Sequence, residues 1–210
     1  MDNFSIENIY YLGPKGSNVN LAMLKFIELC NINYQNIIPV KSIKGVLEAH
    51  KKDKSSICVL PIENSIEGIV RETIDNLLNF EDTKILAQVS LPINHILMGV
   101  TKDKKNIKKI ISHPQALAQC SKYLYKNFPD AELKEFSSTS YAAEKVRSEN
   151  DETTAAIANE ICAKLFNLNI LDRNLNDEKD NKTRFYLLGR NNITIDNNPK
   201  TAVIFSIKNK

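Results

Sequence analysis

Metal and redox signatures are scarce in this chain. Its four cysteines (Cys30, Cys58, Cys120 and Cys162) stand far apart and form no Cys-x-x-Cys, and its three histidines (His50, His95 and His113) are scattered. Zinc-ligand spacing is absent, so the sequence offers no metal site. Each cysteine sits among apolar neighbours, as in "SICVL", which suits a small buried hydrophobe in a reducing compartment. The six glycines form neither Gly-x-Gly-x-x-Gly nor a P-loop, so no dinucleotide or nucleotide-phosphate cradle is written here. No apolar run approaches ~20 residues, which argues against a membrane span. The opening "MDNFSIENIYYLG" lacks a basic segment followed by a long apolar run. No signal peptide is expected, and the expected compartment is the cytoplasm. Net charge is +3, from 28 basic and 25 acidic residues, and the densest basic run, Lys102 to Lys109, is broken by Asp103, Asn106 and Ile107. That distribution excludes the concentrated basic patch of a nucleic-acid binder.

What remains is an ordinary globular composition: 210 residues, 42% hydrophobic and 25% charged. That length suits one large domain or two small lobes. Strand-like and helix-like segments alternate throughout. "NIYYLG", "NIIPV", "SSICVLPIEN", "KKIISH", "AELKEFS", "TTAAIA" and "NILD" read as strands. "NVNLAMLKFIELC", "SIKGVLEAHKK", "EGIVRETIDNLLN", "PQALAQCSKYLYKNF", "STSYAAEKVRSE" and "EICAKLFN" read as helices. The alternation predicts an α/β fold with mostly parallel sheets. A long β-rich stretch around 84–100, broken near Pro92, predicts a crossing between two lobes, and "TRFYLLG" predicts the return. Lobe 1 is expected at 8–83 plus 177–190, lobe 2 at 84–176, and a linker at 191–199. Small-molecule sites favour such an interlobe cleft.

Four apolar strands end in clusters of hydrogen-bonding residues: "GPKGSN", "PIENS", "SHPQ" and "SSTS". In α/β sheets, ligands bind beyond the carboxyl ends of strands. The Gly13–Gly16 turn with Ser17 as cap can serve an anion at the next helix N-terminus, or it can be a plain strand-turn-helix connection. Glu63 and Asn64 end a strongly apolar strand, with Asn64 or Ser65 available to cap the next helix. Gln115 and Gln119 lie four apart, on one helix face. His113, just before a proline, is more commonly a cap than a base. "KDNKTRFYLLGR" carries Thr183 and Arg184 at the mouth of an apolar strand. Arg184 can pair bidentately with a carboxylate, or form a surface ion pair.

Taken in order, "LGPKGS", "PIENSIEGIV", "ISHPQALAQCSKYL", "STSYAAEKV", "AAIANEICAKLFNLNIL" and "DNKTRFYLLGR" resemble the prephenate dehydratase family over about residues 10 to 190. The resemblance implies two α/β lobes of the type 2 periplasmic-binding-protein kind, with the active site between them. It implies Thr183 as the catalytic residue, with Arg184 and Phe185 in the same motif. Glu63, Asn64 and Gln115 match positions tied to activity or substrate binding, and Ser17, Ser138 and Thr139 match positions lining the cleft, with Ser65 beside Asn64. The loop after "GPKGS" departs from the family: Asn18, Val19 and Asn20 stand where an aromatic residue and a Ser-like position are usual. "TAVIFSIKNK", within 200–210, resembles the first strand of an ACT domain, whose Gly-Ala-Leu and Glu-Ser-Arg-Pro signatures this chain does not contain. Phenylalanine is thus expected as an effector only where a complete ACT domain exists. Association into a homo-oligomer is implied as well.

The implied reaction converts prephenate to phenylpyruvate, carbon dioxide and water for phenylalanine biosynthesis. It is a lyase reaction without redox change, so no cofactor is expected. The leaving hydroxyl needs a proton or strong hydrogen bond, which the Thr183 hydroxyl can give, with Glu63 as proton source if burial raises its pKa. Arg184 is the expected carboxylate anchor and Phe185 an apolar wall. Asn64 and Gln115 orient the substrate without holding the charge that must leave. An arogenate dehydratase, a related decarboxylase and a non-catalytic binding module of the same fold are the competing readings.

Overall fold

The uninterrupted apolar run "SICVL" forms the heart of a sheet covered on both faces. In this computed structural model, residues 6–80 and 82–190 are described. The elements in chain order are β1 (Ile6–Leu12), α1 (Asn18–Cys30), β2 (Tyr34–Val40), α2 (Ile43–Lys52), β3 (Ser56–Asn64), β4 (Gly68–Ile69), α3 (Arg71–Leu77), β5 (Lys84–Pro92) and β6 (Ile96–Gly99). They continue with β7 (Lys109–Ser112), α4 (Pro114–Gln119), α5 (Ser121–Asn127), β8 (Glu132–Glu135), α6 (Thr139–Glu149), β9 (Thr154–Ala158), α7 (Glu160–Leu165), β10 (Asn169–Asp172) and β11 (Lys182–Gly189). The expected linker at 191–199 and ACT-like strand at 200–210 lie outside the described residues. No helix among the described residues is long and apolar enough to cross a membrane.

The first sheet runs β2-β1-β3-β11-β5, with β4 added to β3; the second runs β10-β6-β9-β7-β8. Along β3, Ile57 and Val59 pack into one core with Phe26, Met23 and Phe185, while Cys58 and Leu60 pack into another with Val46, Leu47 and Leu188. Period-two alternation thus buries both faces, one under α1 and one under α2. In β9, Ala156 and Ala158 face one core, and Ala155 and Ile157 the other. Both sheets are mixed rather than mostly parallel. β1 runs parallel to β2 and β3, and β7 to β8 and β9. β11 is antiparallel to β3 and β5, and β6 to β9 and β10. These antiparallel pairs all involve strands next to the crossings between lobes, whereas β4 pairs antiparallel with β3 through a local turn.

The lobe boundary expected at residue 84 falls instead after Pro92. β5 pairs with β11 from Lys84 opposite Gly189 to Pro92 opposite Lys182, and Leu86, Ala87, Val89 and Leu91 pack on the first core. The two crossings are bonded to each other. Ile93 N–H donates to Asn181 O (2.9 Å), Leu175 N–H to His95 O (3.1 Å), and His95 N–H to Asn176 Oδ1 (2.7 Å), while Asn176 Nδ2 reaches back to Ile93 O (3.0 Å).

A second seam joins the lobes at the Gly13–Gly16 turn. Asn159 Nδ2 donates to Gly16 O (2.8 Å) and Asn18 Oδ1 (3.0 Å), Cys162 Sγ to Gly16 O (3.3 Å), and Ser140 Oγ to Lys15 O. Gly16 has φ +85°, and a Cβ there would meet Ser140 Oγ at 2.7 Å and Cys162 Sγ at 3.0 Å. Only glycine fits both the left-handed backbone and this close approach.

The single helix expected over "PQALAQCSKYLYKNF" breaks at Cys120 into α4 and α5. Asp177 on the return crossing explains the break. Its N–H takes Gln119 O (2.8 Å), and its carboxylate accepts from Lys122 N and Ser121 Oγ at the start of α5. The helix expected from Glu67 begins later, at Arg71, because Gly68–Ile69 pairs with the end of β3.

Candidate active site

Between the lobes lies a cleft of about 370 Å³ whose lining includes Asn18, Asn64, Glu67, Ile93, His95, His113, Gln115, Gln119, Thr139, Asn181 and Thr183. It opens where β3, β11, α4 and the N-termini of α1 and α6 converge. No Lys or Arg lines it among the described residues.

Thr183 reaches the cleft through register. β11 sets Thr183 opposite Asn64 and Arg184 opposite Glu63, and alternation sends the two pairs to opposite faces. Asn64 Nδ2 donates to Thr183 Oγ1 (2.8 Å) and to Asn181 Oδ1 (2.8 Å). Asn64 Oδ1 accepts from the N–H groups of Ile66 (2.9 Å) and Glu67 (3.1 Å), which pins the amide. Ser65 ties this turn to the return strand: its Oγ donates to Asp180 O (3.1 Å) and accepts from Lys182 N–H (2.9 Å). Since Thr183 Oγ1 already accepts from Asn64, its hydroxyl hydrogen is available to another acceptor.

Of the expected site residues, Thr183, Asn64, Gln115 and Thr139 meet in the cleft. The others lie elsewhere. Glu63 and Arg184 pair with each other (Oε2 to Nη1, 3.2 Å), with side chains 42% and 46% exposed, on the strand face opposite Thr183. Glu63 is therefore not the buried acid that its expected role needed, and the Arg184 guanidinium is engaged away from the cleft. Phe185 is 1% exposed and belongs to the core under α1: two positions on from Thr183 it shares that residue's strand face, but it lies deeper in the sheet, opposite Val89 of β5 and Pro61 of β3. It is a core residue and not a cleft wall. Ser17 and Ser138 are N-caps, taking the N–H of Asn20 (3.2 Å) and Tyr141 (3.0 Å) respectively. They shape helix ends at the cleft without lining it, and Ser65 braces its floor.

Three residues that sequence reasoning did not single out complete the site. Asn181 lies two positions before Thr183 and is 2% exposed. Its spacing from Thr183 was the available signal, since positions i and i+2 share a strand face. Asn18 stands at the first position of α1 and accepts from Asn159. His95 is 4% exposed, and its signal was a lone polar ring inside the apolar "PINHILMGV". Burial pushes its pKa below the usual imidazole value, against a hydrogen bond to Gln119 that raises it. Gln119, which the sequence marks only as sharing a helix face with Gln115, accepts at Oε1 from Asn181 Nδ2 (3.1 Å) and lies 3.0 Å from His95 Nε2. His113 caps α4, its Nδ1 accepting from Gln115 N–H (3.3 Å).

Known proteins resemble this chain in sequence and in fold. The family model described as prephenate dehydratase matches residues 9–193. A prephenate dehydratase of Methanocaldococcus jannaschii is 42% identical over 203 residues, covering 95% of this chain and 72% of that protein. A bifunctional chorismate mutase/prephenate dehydratase of Aquifex aeolicus is 34% identical over 202 residues, covering 96% of this chain and 54% of that protein. The crystal structure of an Arthrobacter aurescens prephenate dehydratase in complex with L-Phe superposes with a TM-score of 0.77 at 27% identity, covering 88% of this chain and 60% of that one. The chain thus spans between about half and about three quarters of the length of these relatives. A cleft floored by paired strand ends, a match across nearly all of the described residues and this level of identity carry one conclusion: the chain belongs to the prephenate dehydratase family.

Proposed function

We propose that the chain dehydrates and decarboxylates prephenate to phenylpyruvate, a lyase step of phenylalanine biosynthesis, in the interlobe cleft. The observation that carries this reading is the Asn64–Thr183 pair, in which an amide donates to the hydroxyl oxygen and leaves its hydrogen for a ligand. In the reaction, the bond from the ring to its carboxylate breaks and its electrons enter the ring. The bond to the hydroxyl breaks at the opposite carbon, and the hydroxyl takes up one proton and leaves as water. Carbon dioxide, water and an aromatic ring result, with no net oxidation.

Thr183 donates its hydrogen bond to the leaving hydroxyl, and Asn64 holds the threonine oxygen in place. The threonine hydroxyl is far too weak an acid to supply the proton alone. Glu67 and His113, titratable side chains on the lining, are suited to exchange it with solvent. The N-caps of α1 and α6 consume the N–H groups of Asn20 and Tyr141, leaving those of the preceding first-turn residues for a substrate carboxylate. Asn18 Nδ2 and Gln115 add neutral donors. The ring carboxylate loses its charge on the way to the transition state, so a fixed cation beside it would favour the ground state. A lining of amides, hydroxyls and helix ends avoids that cost.

Phenylpyruvate absorbance after addition of prephenate to the purified protein tests the activity. Thr183→Val keeps the shape and deletes the hydroxyl. A fall in kcat of roughly 100-fold or more with little change in KM is expected, and near-normal turnover would refute the assignment. Running arogenate beside prephenate separates the keto from the amino substrate. No observation favours the non-catalytic reading.

A further inference from the structure

Asn64 holds Thr183, and a chain of side chains running into lobe 2 holds Asn64. Its hydrogen-bond directions derive from one fixed end. Asn64 Oδ1 accepts two backbone N–H groups, so its Nδ2 must be the atom facing Asn181 and Thr183. Asn181 must then offer Oδ1 to Asn64, which turns its Nδ2 toward Gln119. Gln119 must answer with Oε1, and the ring nitrogen of His95 that meets Oε1 at 3.0 Å must carry a hydrogen. Each step excludes the alternative, because two donors or two acceptors would otherwise face each other in a buried place.

We propose that His95 is a positioning residue for the dehydration: as the neutral Nε2–H tautomer it holds Gln119 and, through it, Asn181 against the backbone-pinned Asn64 amide, and so braces the seat from which the Thr183 hydroxyl addresses the substrate. The inference rests on the reading of Thr183 as donor to the leaving hydroxyl. His95 Nδ1 is buried without a partner among the described residues, as is Gln119 Nε2. A hydrogen on Nδ1 would find no acceptor there, so both the other tautomer and the imidazolium are disfavoured. Burial lowers the imidazole pKa in the same sense. The titratable groups around His95 are few. His113 on α4 and Glu67 on the turn after β3 share the cleft lining. From the return crossing, Asp177 is engaged with Ser121 and Lys122, and Glu178 lines the adjoining mouth. The other groups bonded to His95 (Gln119, Asn176 and the backbone of Leu175) do not titrate.

The relay also joins the lobes. His95 and Gln119 belong to the side of the second sheet, Asn64 and Thr183 to the first, and Asn181 sits on the crossing between them. A Thr183 seat braced from both lobes links chemistry to lobe position.

The experiment compares His95→Leu, His95→Gln, Gln119→Leu and the double variant His95→Leu/Gln119→Leu, with Thr183→Val alongside. His95→Leu should lower kcat by about 10- to 100-fold with KM nearly unchanged, since misplacement of a reacting group costs up to about 100-fold. His95→Gln keeps a neutral N–H near the Nε2 position and should restore most of the loss. The double variant should be no worse than the poorer single variant, because both cut one chain. Equal losses in the leucine and glutamine variants, additive losses in the double variant, or unchanged kcat in His95→Leu would each overturn the relay. Loss in Thr183→Val without loss in His95→Leu rejects the relay alone. Normal turnover in Thr183→Val rejects the Thr183 reading itself. Imidazole 15N spectra of the wild-type protein supply a test that survives a folding defect in any variant. The Nε2–H form of His95 is expected near neutral pH, and a dominant Nδ1–H form overturns the proposal.

Discussion

A residue's motif neighbours and its neighbours in space diverge sharply along "TRF". Thr183, Arg184 and Phe185 are consecutive, yet they serve the cleft, a surface ion pair and a hydrophobic core in turn. Their substitutions should separate accordingly. Arg184→Ala and Glu63→Gln break a pair whose side chains are 46% and 42% exposed, so stability should change by no more than about 1 kcal/mol. Both kcat and KM should stay close to wild type in a steady-state assay. Phe185→Ala should cost about 3–5 kcal/mol in a urea titration, the range for emptying a buried aromatic site. Another consequence at this scale concerns His50, which is fully buried. Its Nδ1 must donate to Ser56 Oγ (2.9 Å), because Ser56 spends its own hydrogen on Asp53 O (2.7 Å). Its Nε2 has no partner among the described residues. Burial, aided by the Arg190 charge, lowers its pKa from 6.5 to about 4. The unfolded chain therefore binds this proton first as pH falls. The contribution is fully present above pH 6.5 and is lost progressively between there and pH 4, up to about 3 kcal/mol. Urea midpoints at pH 7 and pH 5 measure it. His50→Asn retains a donor without titrating, and should flatten the slope.

Elements were legible in the sequence wherever a strong period met a good cap. The α1 pattern and Ser17 cap match the helix found at Asn18–Cys30, and the apolar runs "SICVL" and "TAAIA" match strands covered on both faces. What escaped was long-range. The break at Cys120 is imposed by Asp177, some 57 residues onward, and no local pattern carries that. Glu63 and Arg184 were drawn to the site by their motif, although strand alternation sets each on the face opposite its neighbour Asn64 or Thr183; the paired register adds that the two meet each other there. Thr183 and Asn64 were found through resemblance, whereas Asn181 and His95 needed the fold. A prediction proper to this scale concerns the Gly13–Gly16 turn. Gly16→Ala forces a side chain into φ +85° and against Ser140 and Cys162. It should cost about 1–3 kcal/mol and raise KM by disturbing the Asn18 end of the cleft. Thermal melts and initial rates report the two effects separately.

At the scale of the molecule, the order of the first sheet has a consequence for synthesis. β11 lies between β3 and β5, yet it is made last of the three. While the ribosome is still adding residues, β3 and β5 have no common neighbour, and the first lobe stands open along a central seam. The second sheet has no such gap, for β6 to β10 lie in one unbroken stretch from Ile96 to Asp172. The second lobe can thus reach its native pairing before the first, against the usual order in which the earlier-made part folds earlier. Nascent chains arrested just before and just after residues 182–189 emerge should show protease resistance first in the later-made lobe. The earlier-made lobe should gain it only when its last strand arrives, and with that strand comes Thr183.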